Sequence, residues 1–109
     1  MSEYFNECDI IQKDEEYAKR GRNYYKLERI IKRFANHRRI QILYLLEREP
    51  ELSVLEIVGK LDINFKTASE HIRRLTIAGL VMKHSDGAYI RHRLTERGSM
   101  ILKFLRILE

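Results

Sequence analysis

Between Asn64 and Arg74 the chain reads NFKTASEHIRR, and its polar residues are of two chemical kinds. Asn64, Lys66, Thr67, Ser69 and Glu70 are short or flexible side chains able to donate to, or accept from, the edge of a nucleotide base. Arg73 and Arg74 carry permanent charge on a planar fork that matches phosphate oxygens, and Lys66 suits either task. Phe65 stands among them, able to pack on the protein or to touch a thymine methyl. A second basic group, Lys83, His84, Arg91 and Arg93, flanks Asp86-Gly87 some ten to twenty residues on. Both sets suit the grip of a charged duplex and not the making or breaking of bonds.

Other chemistries find little support. There is no glycine-rich phosphate loop and no set of a nucleophile with its base. Cys8 is the single cysteine and lies in an acidic, polar leader without the positive neighbours that activate a thiol. His84, Asp86 and His92 share one hairpin and could be imagined as metal ligands, but exposed cross-strand histidines are the plainer reading. The helix after Thr95 has no His, Asp or Cys. The expectation is a protein with no catalytic residues, no metal and no cofactor. His71 is expected as a half-buried packing residue.

Charge points the same way as the motif. The net charge is +5, but residues 1–22 hold six acids and four bases, so residues 23–109 carry 17 bases against ten acids, a net of +7. A basic body behind a mildly acidic leader suggests a polyanionic partner. No run of about 18 apolar residues could cross a bilayer, and the polar start is wrong for a secretory signal. A cytoplasmic protein without a membrane partner is expected.

The elements that must hold these residues follow from periodicity. Residues 1–22 read as a polar helical extension that Gly21 breaks. Leu27, Ile30, Ile31 and Phe34 fall at i, i+3, i+4, i+7, an amphipathic stripe. A helix from about His37 to Arg48 follows, ended by Pro50, with Ile40, Leu43, Tyr44 and Leu46 or Glu47 turning through its faces. Ser53-Val-Leu-Glu56 is a capping box that opens a short helix to about Leu61, with Leu55 and either Ile57 or Val58 inward. Asp62-Ile63-Asn64 is a turn, Asn64 an N-cap, and Phe65–Ala78 a helix whose Ala68, Ile72 and Leu75 form the buried stripe. Gly79 lets the chain reverse. Val81–His84 and Tyr89–Leu94 alternate as strands around Asp86-Gly87, a hairpin signal, with Arg91 and Arg93 on one face and His92 on the other. Thr95 caps a last helix to Leu108. This order is mainly α with a small β-hairpin, a winged helix-turn-helix over residues 23–109 with added terminal helices.

The stretch from Ala35 to Gly98 resembles the ArsR-type winged-helix regulators. ANHRRIQILYLL is similar to the family's Ala-Asp-Pro-x-Arg-x-x-Ile-Leu helix, with Asn36, His37 and Arg39 at the Asp, Pro and Arg positions. LSVLEIVGKLDINFKTASEHIRRLTIAGLV is similar to its Leu-Ser-x-x-Glu…Thr-Val-Ser-x-His-Leu…Ala-Gly-Leu-Val, with Thr67, Ser69, His71, Leu75, Ala78, Gly79, Leu80 and Val81 matching directly. Asn64-Phe65 departs from the usual Ser-Gln, Arg74 stands where an apolar residue is common, and Gly59 replaces a small Ala. LTERG is as much like MarR or PadR proteins. The resemblance implies a homodimer with two recognition helices in successive major grooves of a pseudo-palindromic operator.

The outer helices suit that assembly. Leu27, Ile30, Ile31 and Phe34 with Ile101, Phe104, Leu105 and Leu108 offer more apolar surface than one small core needs, a candidate two-fold interface centred on the helix over residues 95–108. The reading is a sequence-specific regulator of transcription, expected to be of repressor type in the sense of blocking promoter access, that binds double-stranded DNA with helix 65–78 in the major groove and wing 81–94 on the backbone or minor groove. A winged-helix protein-interaction module, or a sequence-neutral architectural DNA binder, is the alternative. No pattern names a small-molecule effector.

Overall fold

The computed structural model describes residues 22–109. The expected extension over residues 1–22, Arg22 apart, lies outside the described residues, as does Cys8. Five helices and one hairpin follow in the order α1 (Tyr24–Phe34), α2 (His37–Arg48), α3 (Val54–Leu61), α4 (Phe65–Ile77), β1 (Val81–Ser85), β2 (Ile90–Leu94) and α5 (Glu96–Leu108). No described helix is long and apolar enough to cross a membrane.

Every helix starts on a side chain that takes up orphan backbone N–H groups. Asn23 accepts from Lys26 N at 3.0 Å and opens α1. Asn36 accepts from Arg38 N and Arg39 N at 2.9 and 3.2 Å and opens α2. The capping box of α3 is formed on both sides, with Ser53 N donating to Glu56 Oε1 at 3.0 Å and Glu56 N to Ser53 Oγ at 3.3 Å. Asp62 ends α3 in the left-handed region, and Thr95 caps α5 through Gly98 N at 3.0 Å.

The core is built around α2. Ile42, Leu43, Leu45 and Leu46 of that helix meet Ile57 of α3, Ala68, Ile72 and Leu75 of α4, Leu80 and Val81 at the wing, and Leu102 of α5, all buried. Ile42 and Leu45 are fully buried, while Ile40 and Tyr44 are only half-buried. A central helix covered on several sides shows no single clean stripe in its sequence. In α3 the inward residue is Ile57, and Leu55 is 64% exposed, against expectation.

The hairpin is antiparallel, pairing Val81 with Leu94, Lys83 with His92 and Ser85 with Ile90. Its connection is a four-residue loop, Asp86 to Tyr89, with the expected Asp86-Gly87 inside it. Asp86 N donates to Tyr89 O at 3.0 Å, and Asp86 Oδ1 accepts from Tyr89 N at 3.1 Å. A third segment joins the sheet. Glu51 N donates to His92 O, and His92 N to Leu52 O, each at 2.9 Å, so the strand of the wing is tied to the residues just before α3.

Candidate nucleic-acid interface

The chain before α4 sets the presentation of its first turn. Asp62 takes a φ of 53°, Ile63 N donates back to Val58 O, and Asn64 Oδ1 then accepts from Lys66 N at 2.8 Å and Thr67 N at 3.2 Å. The oxygen of Asn64 is thus engaged in the cap, which leaves its amide group as what it can offer outward. Lys66 and Thr67 are exposed beside it. Phe65 is 51% exposed and is absent from the apolar core. Ser69 is half-buried one turn on, while Ala68, Ile72 and Leu75 seal the opposite side as their spacing implied.

Glu70 is held by two arginines. It accepts from Arg73 at 2.7 and 3.0 Å and from Arg74 Nε at 2.9 Å. The hydrogen bonds from Arg73 and the positive charge of both neighbours bring its carboxyl down to about 2. In this state Glu70 is a clamp that orders two guanidinium groups, and not an open acceptor for a base. Arg74, half-buried, lies back along the helix toward Glu70.

The wing divides its cations between two faces. Opposed residues of an antiparallel pair share a face, so Lys83 lies with His92, whereas His84, Arg91 and Arg93 lie on the other side. Lys83 turns to α4, where a cleft of about 230 Å³ is lined by Ser69, Arg73, Thr76 and Ile77 together with Val54 and Lys83. Helix and wing residues are brought together there. The opposite face gathers around Glu51, whose carboxylate meets His84 Nε2 at 3.1 Å and Arg93 Nε at 3.7 Å. Arg91 is half-buried and bonds Asp86 Oδ2 at 2.7 Å, Glu56 Oε1 at 2.9 Å and Glu51 O at 3.3 Å. It therefore fastens the wing to the capping box of α3. Among the described residues no ion pair engages Lys66 or Lys83, the two cations left most open on this surface.

Two histidines are structural. Arg39 Nε donates to His71 Nδ1 at 3.1 Å, and Arg39 Nη1 reaches Lys32 O and Arg33 O, so one guanidinium ties the end of α1 to α2 and α4. Burial and the nearby positive charge of Arg39 hold the His71 pKa below its ordinary value. His92 is buried, its Nδ1 lies 2.9 Å from Leu52 O, and burial lowers its pKa despite that bond. His84 and His92 lie on opposite faces of the hairpin, and among the described residues no three His, Cys, Asp or Glu side chains converge as a metal site.

The candidate interface residues also separate. Phe34 is only 6% exposed and belongs to the core of the single chain, which corrects its assignment to a contact between chains. Ile30, Ile101 and Leu105 are partly buried against that core, whereas Leu27, Ile31, Phe104 and Leu108 stay exposed, joined by Tyr24, Met100 and Ile107. Sequence reasoning missed the contacts of Arg39, Glu51, Arg97 and Gly98. Arg97 Nη1 donates to Ala78 O at 2.9 Å, and a Cβ on Gly98 would stand 2.3 Å from Leu80 O, so α5 is pinned to the end of α4 at two points.

A family model described as bacterial regulatory protein, arsR family, matches residues 36–83, from the N-cap of α2 to the middle of β1. Over this stretch the chain is similar to the regulators of the ArsR family. An ArsR-named arsenical resistance operon protein of Halobacterium salinarum is 32% identical over 74 residues, which cover 67% of this chain and 57% of that relative. Among solved structures, HlyU from Vibrio cholerae is 30% identical with a TM-score of 0.68, covering 80% of this chain and 95% of its own. A homodimeric winged helix-turn-helix DNA-binding domain from Mycobacterium bovis is 24% identical with a TM-score of 0.69, covering 99% of this chain and 89% of its own, and shows the fold. The ArsR match takes in α2, α3 and α4 entire, together with the turn that presents Asn64. It stops short of β2 and α5, where this chain places Arg91, Arg97 and Gly98.

Proposed function

We propose that the protein is a homodimeric, sequence-specific regulator of transcription that acts by occupying double-stranded DNA, with α4 in the major groove and the wing along the backbone or minor groove. The observation that carries this reading is the two-sided build of α4. Ala68, Ile72 and Leu75 are buried, and the capped outer side presents Asn64, Phe65, Lys66, Thr67 and Ser69 beside a cleft shared with Arg73 and Lys83. The first group has the reach and hydrogen-bonding capacity for base edges. Lys66, Arg73, Arg74, Lys83, Arg91 and Arg93 supply positive charge for phosphates, with Arg91 acting mainly by fixing the wing. The regulator names of the relatives support a non-catalytic role, and a place in the cytoplasm accords with it.

Dimerisation would join the exposed apolar residues of α1 and α5, Leu27, Ile31, Phe104 and Leu108 with Met100 and Ile107, in a self-complementary contact. Two recognition helices related by such an axis face half-sites about 34–36 Å apart. Selection from a random duplex pool, followed by titration at two salt concentrations, tests the reading. An enriched inverted repeat with affinity that falls steeply with salt is expected. Salt-sensitive binding with no enriched motif would replace it by architectural DNA binding, and no binding by folded protein would replace it by protein docking.

A further inference from the structure

A cluster of cations with no assigned role lies between α1 and the end of α4. Lys26, Arg29 and Arg33 occupy one side of α1 at i, i+3 and i+7, and Arg97 faces them from the first turn of α5. With Ile30, Ile77 and Ala78 they line a cleft of about 260 Å³ between α1 and the end of α4. No described carboxylate forms an ion pair with any of the four, and none has an unprinted partner. Glu28, the acid of the same helix, pairs instead with Lys32. Arg97 is held in place because its Nη1 donates to Ala78 O at 2.9 Å. The carbonyl of Arg33 is likewise held by Arg39. Four like charges around one opening repel one another, and a bound anion relieves that repulsion.

From this cleft we infer a second anion site, one that takes a multiply charged phosphate-bearing group. Three guanidinium forks and one ammonium favour phosphate oxygens, which they can meet with paired charge-assisted hydrogen bonds. Ile30 and Ile77 give the cleft an apolar wall that a bare basic patch lacks. Ile77 also lines the cleft shared by Ser69, Arg73 and Lys83, so an anion seated here sits next to the proposed DNA-reading surface. The phosphates can come from a free ligand or from the duplex itself, and the two sources behave differently in solution.

Calorimetric titration of the full chain with inorganic pyrophosphate, at constant ionic strength and without DNA, tests the site. Saturable one-to-one binding is expected, weakened about tenfold or more in Arg29→Gln/Arg33→Gln and unchanged in Arg48→Gln, at an exposed position outside both clefts. Duplex titrations across salt then identify the source. Where DNA supplies the phosphates, the double substitution lowers the slope of log affinity against log salt by about two contacts. Where a free ligand supplies them, the double substitution leaves the slope unchanged while still weakening the pyrophosphate binding seen in the native chain. Pyrophosphate binding that survives the double substitution would overturn the site, as would a wild-type chain showing neither pyrophosphate binding nor a substitution-sensitive slope. Circular dichroism confirms that each variant keeps its helices.

Discussion

Gly98 and Gly59 look alike on paper, each a glycine inside a helix, and the structure separates them. A methyl group at Gly98 would collide with the carbonyl of Leu80, a backbone atom that cannot swing aside. Gly98→Ala should therefore destabilise the domain by about 1–3 kcal/mol, the usual range for forced overpacking, read as a lower midpoint in urea. At Gly59 nothing lies within 4 Å of the position of a Cβ. Gly59→Ala should stabilise by about 0.5–1 kcal/mol through helix propensity alone, so a fall in the midpoint would contradict this placement. The cap residues Ser53, Asn64 and Thr95 were legible because capping is local. The partners of Arg39, Glu51 and Arg97 were not, since each bond joins segments that are distant along the chain.

At the scale of elements, two histidine contacts couple packing to pH. His71 accepts a hydrogen bond from Arg39 at Nδ1 and is needed neutral where α1, α2 and α4 meet, and His92 is buried beneath the wing. Both have native pKa values below the ordinary one. As pH falls through about 6.5 the unfolded chain takes up protons before the native one. Their contribution to stability is thus complete above that value and is lost as pH falls toward the lower native values. Urea midpoints should drop between pH 7.5 and 5.5, and the drop should shrink in His71→Gln/His92→Gln; an identical pH dependence in the variant would contradict the assignment. Glu70, with its pKa near 2, does not titrate in that window. The buried stripe of α4 and the order of elements could be read from period alone. The faces of α2 could not, because a helix covered on several sides loses its amphipathic signal, and the exposure of Leu55 depends on where neighbouring helices end.

For the whole molecule, the question is what covers the apolar residues at the outer helices. Phe104 and Ile107 project from α5 while Leu102, on its other side, closes the core. Charging the projecting pair should break association without unfolding the chain. Phe104→Asp/Ile107→Asp is expected to sediment as a monomer at concentrations where the native chain is a dimer, with helicity retained. A native chain that is itself monomeric, or a variant that still dimerises, would remove this surface from the assembly. Phe34 shows why the sequence overstated the interface. Its spacing fits the stripe of α1, but whether such a stripe meets its own core or another chain is decided by tertiary contacts that periodicity does not encode.

The central claim is that the outer side of α4 reads bases. Its most direct test is to repeat the random-pool selection with Thr67→Ala/Ser69→Ala beside the native chain. Loss of one bidentate-quality base contact costs about 1–3 kcal/mol of discrimination, so the variant should enrich a motif altered at matching positions of both half-sites while keeping the same spacing and salt dependence. If the variant recovers the native motif with undiminished preference, α4 does not read the sequence.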